Sequence, residues 1–342
     1  MRKILLISAV ISVLSLFLCG SAAAQQPSST CSPSGNRLKV GLVLGGGGAK
    51  GAAEVGALKV IERLGIPIDY IAGTSIGSIV GALYSVGYRA EALDSLFTNQ
   101  EWLSLLTSRS DAHSDTPISQ QDGVTYIFGF PVLTSGKKPA EGTLGVLSGD
   151  KIVEMLQQMT HQADSVSFDS LPIPFRCVAT DIKRQQTVVL SSGNLPMSIR
   201  ASMAIPGMFT PVFINGKELV DGGMLNNLPV DVVKAMGADI ILAIDLTQKK
   251  HKTRDFSLSE TLGIGGLLDW VVSRPDWRIY NNNRKMADLI INPKLEAYGT
   301  TSFSREAITH MMRQGERAAE EMKDSLIAFR RRVFEGKKSD KE

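Results

Sequence analysis

The sequence predicts an α/β protein, a three-layer sandwich with a mainly parallel central sheet. The first observation is a continuous apolar run, LKVGLVL (38–44), which ends in glycines and is typical of a buried parallel strand. The second is helical spacing in AAEVGALKVIERLG (52–65), where a glycine marks the expected end. The third is a repeat of that order, a strand in IDYIAGTS (68–75) and a helix in SIGSIVGALYSVG (75–87). Strands that alternate with helices predict a parallel sheet covered on both faces.

Later segments continue this alternation with less regular spacing. In chain order, we expect a strand or hairpin at 122–132, a helix at 148–160, strands at 175–182 and 186–193, a short helix at 198–205, a strand and turn at 217–223, a helix at 230–237, a buried strand at 239–246 and one long helix at 305–332. Beyond residue 250 the pattern becomes helical and more charged.

Composition places the chain among globular proteins. It has 342 residues, 43% hydrophobic and 21% charged, with a formal net charge of +3. That charge is too small, and too evenly spread, to indicate a nucleic-acid partner. We expect one domain over residues 38–330, divided into a motif core (38–250) and a helical C-terminal part (251–330), and then a charged tail (331–342).

The N-terminus has the pattern of a secretory signal peptide. Arg2 and Lys3 precede an apolar stretch that reaches Cys19, and a small-residue site follows at Ala22–Ala24. We expect residues 1–24 to be removed, which leaves a flexible Ser/Pro-rich leader at 25–37. Cys19 remains an alternative lipidation site. The expected location is the periplasm, the outer-membrane periphery or the exterior, with no transmembrane segment in the mature chain.

The glycine-rich segment GLVLGGGGAKG (41–51) matches two phosphate-binding patterns incompletely. A P-loop requires G-K followed by Ser or Thr, and this segment has G-A-K-G. The dinucleotide pattern G-x-G-x-x-G fits Gly46, Gly48 and Gly51. It also requires an acidic residue at the end of the next strand, where this chain has Gly73, Thr74 and Ser75 instead.

That strand end matches the nucleophile elbow G-x-S-x-G. Gly73 and Gly77 permit a sharp strand-to-helix turn that exposes Ser75, a candidate nucleophile, at the N-terminus of the next helix. Parallel strands end at the same edge, so the glycine loop is expected beside Ser75 as an oxyanion hole. Its candidate residues are Gly46, Gly47, Gly48, Ala49, Lys50 and Gly51.

A serine nucleophile requires a base, and the histidines do not offer one. None of His113, His161, His251 and His310 follows a strand in a turn-rich context. Asp221 does, directly before Gly222 and Gly223. Asp-Gly is also a common turn signal, so this residue alone is ambiguous. With a serine that lacks a histidine, an aspartate at a strand end is the natural partner.

The motifs GGGGAKG, GTSIG and DGG, in that order, resemble those of the patatin-like phospholipase family. The similarity continues in CVATDI (177–182), ASMAIPGMFTPV (201–212) and VDGGMLNNLPV (220–230), and covers roughly residues 38–250. The resemblance implies a Ser-Asp dyad without histidine, with Ser75 as nucleophile and Asp221 as general base. Gly223 fits the family form D-G-[AG], and no catalytic position departs from the pattern.

The function that this resemblance implies is a lipid acyl hydrolase that acts on phospholipids or related lipids through an acyl-enzyme. It implies a substrate at a membrane surface, no cofactor and no metal. Two alternatives remain open: a carboxylesterase or thioesterase that acts on smaller substrates, and a lipid- or nucleotide-binding module without catalysis.

Several other features have both a functional and an ordinary interpretation. Lys50 and Arg200 are candidates for contact with an anionic head group; the alternatives are a solvated first-turn lysine for Lys50 and a structural ion pair for Arg200. Asn226 and Asn227 either brace the Asp221 turn or are ordinary turn residues. The apolar segments EWLSLLTS (101–108) and 256–280 are candidate lids or membrane contacts, and ordinary packing helices otherwise. Asp181 is expected to end a strand without a catalytic role.

Overall fold

A computed structural model describes residues 37–106, 118–121, 124–127, 130–132, 147–160, 166–206, 208–248 and 276–336, and structural statements below concern these residues. They belong to one compact unit that spans residues 37–342. The predicted signal peptide and nearly all of the leader lie outside the described residues, as do Cys19, His113, His161 and His251.

The central sheet is mainly parallel, as predicted. The strands are β1 (Val40–Leu44), β2 (Tyr70–Thr74), β3 (Ile118–Gln121), β4 (Val124–Ile127), β5 (Phe130–Val132), β6 (Val166–Ser167), β7 (Phe175–Asp181), β8 (Gln186–Leu190), β9 (Ser192–Gly193), β10 (Val212–Ile214), β11 (Lys217–Asp221), β12 (Ile240–Ile244) and β13 (Leu289–Ile291). The order in the main sheet is β10-β11-β7-β2-β1-β12-β13, with β8 paired to β7 as well. The five neighbouring strands β7, β2, β1, β12 and β13 pair in parallel. The pairs β10–β11, β11–β7 and β7–β8 are antiparallel.

Helices cover this sheet on both faces. They are α1 (Ala52–Arg63), α2 (Ile76–Ser85), α3 (Ala90–Asn99), α4 (Trp102–Leu106), α5 (Asp150–Met159), α6 (Leu195–Ser202), α7 (Val230–Ala235), α8 (Trp277–Met286), α9 (Arg305–Glu321) and α10 (Lys323–Glu335). Side chains of β1 alternate between two hydrophobic cores: Leu42 and Leu44 pack into one, and Val43 into the other. The larger core includes α1, α2 and α9, and the smaller includes α7 and α8. The three-layer prediction is therefore confirmed.

Two strands meet end to end beside the middle of β7. β2 runs parallel to the first half of β7 and ends where Thr74 pairs with Val178. β11 runs antiparallel along the second half and ends where Asp221 pairs with Ala179. Since Val178 and Ala179 are consecutive, the residues at the ends of β2 and β11 arrive at one place.

The structure corrects several predicted boundaries. The predicted helix at 305–332 is two helices that meet at Met322, and the second continues to Glu335, into the predicted charged tail. The C-terminal part is also not wholly helical, because β13 extends the main sheet beside β12. α6 begins at Leu195, three residues before the predicted start, where the Asn194 side chain accepts a hydrogen bond from the Met197 N–H.

The two candidate lid segments differ in what the structure describes. In 101–108, helix α4 buries Trp102, so the ordinary packing interpretation holds for its described residues. Most of 256–280 lies outside the described residues. Trp277, the first residue of α8, packs edge-to-face on Tyr280. Across the described parts of the chain, every helix is too short or too polar to cross a bilayer.

Helices α1 and α9 pack with their backbones in contact at glycines. A Cβ at Gly315 would lie 1.8 Å from the Ala53 carbonyl oxygen. In an unconstrained helix Gly→Ala is stabilising by about 1 kcal/mol. Here we expect Gly315→Ala to destabilise the protein by about 1–3 kcal/mol, because the added methyl group forces the helices apart. Urea unfolding measures the change, with Arg313→Ala on the exposed face of α9 as control. A stabilised Gly315→Ala variant would contradict this packing.

Candidate active site

Ser75 lies in a strained turn between β2 and α2. Its backbone has φ 54° and ψ −123°, a conformation that costs a non-glycine residue about 1–3 kcal/mol. The turn is tight: a Cβ at Gly73 would lie 2.3 Å from the Gly77 carbonyl oxygen, and one at Gly77 would lie 2.4 Å from the Leu44 carbonyl oxygen. Both elbow glycines are therefore required by close backbone approach.

The Ser75 hydroxyl donates a hydrogen bond of 2.7 Å to Oδ2 of Asp221. Both residues are buried, with Asp221 1% exposed and Ser75 3% exposed. The Ser75 N–H donates to Oγ of Ser202 (2.9 Å), whose hydroxyl donates to the Val178 carbonyl (2.5 Å). Ser202 thus connects the elbow to the middle of β7, a contact that the sequence motifs do not indicate.

Asp221 ends β11 and begins the Gly222–Met224 turn. Its Oδ1 accepts a hydrogen bond of 2.7 Å from the Gly223 N–H, and its own N–H donates to the Ala204 carbonyl (2.9 Å). Burial raises the pKa of the Asp221 carboxyl to about 6, although the hydrogen bonds from Ser75 and Gly223 lower it. The carboxyl group therefore changes protonation state close to neutral pH.

No histidine is among the hydrogen-bond partners of Ser75 and Asp221 within the described residues. His310, on α9, instead shares a hydrogen bond of 2.6 Å with the Tyr298 hydroxyl.

Three of the six candidate N–H donors of the glycine loop are already engaged. The Gly46 N–H donates to the Asn227 carbonyl (3.1 Å), the Ala49 N–H to the Thr300 carbonyl (2.8 Å) and the Lys50 N–H to the Gly47 carbonyl (3.3 Å). Gly51 is the last residue of the Gly48–Gly51 turn, directly before α1. Among the described residues, acceptors are lacking for the N–H groups of Gly47 and Gly48. The oxyanion role of the six residues stays a prediction, and in this conformation Gly47 and Gly48 offer the N–H groups without an acceptor among the described residues.

Asn226 and Asn227 bind the loops around Ser75 together. The Asn226 carbonyl accepts a hydrogen bond from the Thr74 hydroxyl (2.9 Å), and the Asn226 N–H donates to the Gly222 carbonyl (2.8 Å). The Asn227 side-chain amide donates to the Gly46 carbonyl (3.2 Å), so this residue contacts Gly46 through both its backbone and its side chain. These asparagines connect the elbow, the glycine loop and the aspartate turn, a wider role than the predicted brace.

An apolar pocket opens beside Ser75. Ser75 and Gly48 line it together with side chains from α2, α4, α5 and the segment after α6. Its apolar walls include Ile76, Ile79, Leu106, Ile152, Met208 and Phe209. Its cavity volume is about 40 Å³. Beside this cavity lie a hydroxyl, the buried carboxylate that it contacts, and backbone N–H groups without an acceptor among the described residues.

Arg200 does not have the predicted role. It is 2% exposed, and its guanidinium donates to the carbonyls of Ser148 (2.8 Å) and Thr210 (3.0 Å) while it stacks on Phe209. Neither an accessible head-group contact nor an ion pair is present among the described residues. Asp181 ends β7 and pairs with Arg184. Lys50 is half-buried in the glycine loop turn.

Glu54, in the first turn of α1, is a buried acid that the sequence analysis did not single out. It is fully buried, and neither carboxyl oxygen has a hydrogen-bond partner among the described residues. Burial raises the pKa of the Glu54 carboxyl well above its ordinary value. The nearby Gly45 N–H, whose own hydrogen bond goes to the Ile244 carbonyl, opposes this shift only in part. The carboxyl group is therefore neutral over a wider pH range than an exposed glutamate.

We expect Glu54→Gln to be more stable than the wild type, by a difference in unfolding free energy that increases with pH. A carboxyl whose pKa is raised by folding loses stability above its unfolded-state pKa, because the folded state then binds more protons than the unfolded state. Glutamine keeps the shape and removes this loss. Urea unfolding at pH 5 and pH 8 should show a difference in unfolding free energy between variant and wild type that grows with pH. A difference that is constant across this range would contradict the raised pKa.

Comparison with known proteins finds relatives that match part of this chain. Lysophospholipase NTE1 of Mycosarcoma maydis is 36% identical over 211 residues, which is 61% of this chain and 10% of that protein. Human patatin-like phospholipase domain-containing protein 6 is 34% identical over 212 residues, or 60% of this chain and 13% of that protein. An NTE family protein of Mycobacterium bovis is 32% identical over 208 residues, or 61% of this chain and 49% of that protein. The matched region thus spans half or less of each relative.

Among solved structures, VipD from Legionella pneumophila aligns with a TM-score of 0.49 and 14% identity, over 86% of this chain and 69% of that one. The sequence model described as patatin-like phospholipase matches residues 42–234, more than half of this chain, and includes both Ser75 and Asp221. The chain belongs to the patatin-like phospholipase family.

Proposed function

We propose that this protein is a serine lipid acyl hydrolase that cleaves acyl esters of phospholipids or lysophospholipids. The observation that carries the proposal is the 2.7 Å hydrogen bond from the Ser75 hydroxyl to the buried Asp221 carboxylate, at the mouth of an apolar pocket. A donor–acceptor distance of this length suits proton transfer to a general base. The relatives named lysophospholipase and phospholipase support the same class of substrate.

In the proposed reaction, Ser75 Oγ attacks the acyl carbonyl carbon while Asp221 Oδ2 takes the hydroxyl proton. The tetrahedral intermediate collapses, the ester C–O bond breaks, and the leaving alcohol takes that proton from Asp221. Water then attacks the acyl-enzyme, again losing a proton to Asp221, and the fatty acid is released as Ser75 regains its hydrogen. Each half-reaction returns Asp221 to its ionised state, and the second also returns Ser75 to the free hydroxyl.

The N–H groups of Gly47 and Gly48 are the proposed oxyanion donors. Gly48 lines the pocket together with Ser75, and these two N–H groups have no acceptor among the described residues. The N-terminus of α2 adds a partial positive charge directly behind Ser75. Fixed donors of this kind stabilise the developing negative oxygen without reorganisation during the reaction.

A second candidate is an esterase or thioesterase for smaller acyl groups. The observation that favours it is the cavity volume of about 40 Å³ beside Ser75, which holds only a few methylene groups. A lipid with a long acyl chain would leave part of that chain outside this cavity.

A fluorophosphonate probe and a lipid panel test the proposal. We expect the probe to label the wild-type protein, Ser75→Ala to remain unlabelled, and vesicle phospholipid or lysophospholipid to release fatty acid only with the wild type. Hydrolysis of soluble short-chain esters without release from vesicles would favour the esterase. A folded wild-type protein that binds lipid but is neither labelled nor hydrolytic would favour a binding module.

The raised pKa of Asp221 gives an expected pH profile. The base must be ionised, and its pKa of about 6 leaves it mostly protonated at lower pH. We expect kcat/KM for a soluble ester to rise with pH through about 6, and to be about tenfold lower at pH 5 than at pH 8. Circular dichroism at pH 5 checks that the loss is not unfolding. A profile that is flat over this range would exclude Asp221 as the base.

A further inference from the structure

The apolar pocket beside Ser75 is separated from a second cavity by two aromatic side chains. The second cavity has a volume of about 280 Å³, and Trp102 and Phe303 line both. Their rings lie 6.3 Å apart, between centroids. These two side chains form a partition, with the small cavity and Ser75 on one side and the larger cavity on the other.

The partition is held in place from two directions. Trp102 is 2% exposed, its indole N–H donates to the Phe97 carbonyl (3.0 Å), and its ring lies 4.8 Å from that of Phe97. Phe303 lies three residues after Thr300 in the chain. The Thr300 carbonyl accepts a hydrogen bond from the Ala49 N–H of the glycine loop. One half of the partition is therefore fixed to α3 and α4, and the other half to the loop that flanks Ser75.

The two cavities differ in what they can hold. The walls beside Ser75 are apolar, whereas Asn99, Gln100, Glu101 and Arg305 line the second cavity, and Arg305 donates to the Asn99 side chain (2.9 Å). An acyl chain gains more by leaving water for the first cavity, whose walls are nearly all apolar, than for the second, whose walls mix apolar and polar groups. The most favourable part of the path from Ser75 therefore ends at the partition.

We infer that Trp102 and Phe303 determine how much of the acyl chain the enzyme binds, and so set its chain-length preference. This inference rests on the proposed acyl hydrolase function. Each methylene that enters the apolar cavity raises kcat/KM about fourfold. The wild-type enzyme gains this factor for a few methylenes and then levels off, because further carbons meet the two rings.

A series of p-nitrophenyl esters from acetate to dodecanoate tests the partition. In Trp102→Ala and Phe303→Ala, the vacated ring volume adds apolar space directly behind the existing cavity. The chain length at which kcat/KM levels off should increase by several carbons, and the dodecanoate-to-butanoate ratio of kcat/KM should rise about tenfold or more, equivalent to two or more newly buried methylenes. Phe334→Ala removes an exposed ring of α10 that lines neither cavity and should leave this ratio at its wild-type value.

The ratio does not depend on the fraction of folded enzyme, so a general loss of stability does not imitate the effect. Since Trp102 is deeply buried, Phe303→Ala decides the question if Trp102→Ala does not fold. An unchanged ratio in a folded Phe303→Ala enzyme would overturn the inference while leaving the hydrolase function intact. Absence of fluorophosphonate labelling and of turnover for every ester would instead refute the proposed function.

Discussion

Asp221→Asn should lower kcat by about 10²–10⁴-fold while the protein stays folded. The asparagine has nearly the shape of the aspartate, and its carbonyl oxygen can still accept the Gly223 N–H while its amide faces Ser75. It cannot take the hydroxyl proton, so the serine loses its base. Steady-state hydrolysis of a soluble ester, compared with Ser75→Ala, measures the loss.

Stability separates this loss of chemistry from a loss of structure. Wild-type Asp221 carries a charge in a buried site above pH 6, because its pKa is raised to about 6. The folded state therefore loses stability as pH rises from the ordinary carboxyl pKa to about 6. At pH 8 the asparagine variant should unfold at the same or a higher urea concentration than the wild type. A variant that retains wild-type kcat would remove Asp221 from the mechanism.

Gly48→Ala should lower kcat by about 10²–10³-fold, the usual effect of losing one oxyanion donor. Gly48 has φ +58°, and a Cβ there would lie 2.4 Å from the Thr300 carbonyl oxygen. The added methyl group must displace either the loop or Thr300, and both movements disturb the N–H groups beside Ser75. Burst-phase kinetics with a soluble ester locate the loss in acylation.

Gly65→Ala is the matched control for this substitution. Gly65 has φ +62°, almost the same backbone conformation, but only the end of the Arg330 side chain lies within 4 Å of the added Cβ. Both variants carry similar backbone strain, so similar losses of unfolding free energy are expected from that source. Only Gly48→Ala should lose kcat. Equal activity in the two variants would show that the glycine loop does not contribute to the rate.

The elements around Ser75 could be predicted because burial on both faces of a sheet requires continuous apolar runs. β1 and β2 have such runs, and glycines mark where each ends. β13 has only three residues in a charged context and becomes evident only from its pairing with β12. The break at Met322 also has no local signal, because the helix continues through Gly315 and ends at a residue that favours helix.

The candidate dyad could be proposed from sequence because it rests on residue types at strand ends. The free N–H groups of the glycine loop could not, since their neighbours are engaged by Asn227 and Thr300, which are far away in the chain. Glu54 was not identified for a related reason. It occupies a position that is ordinary for a first-turn acid, and only the packed structure shows that water is excluded from it.

The end-to-end meeting of β2 and β11 beside β7 restricts how this site can evolve or be redesigned. A strand can shift against its neighbour only by whole residues, about 3.3 Å each, and a shift by one residue turns its side chains to the opposite face. The separation of hydroxyl and carboxylate therefore cannot be adjusted in small increments by moving β11 along β7. A change of this register should act as an on–off change, and libraries aimed at new substrates should vary the cavity walls and leave the pairing of β11 with β7 alone.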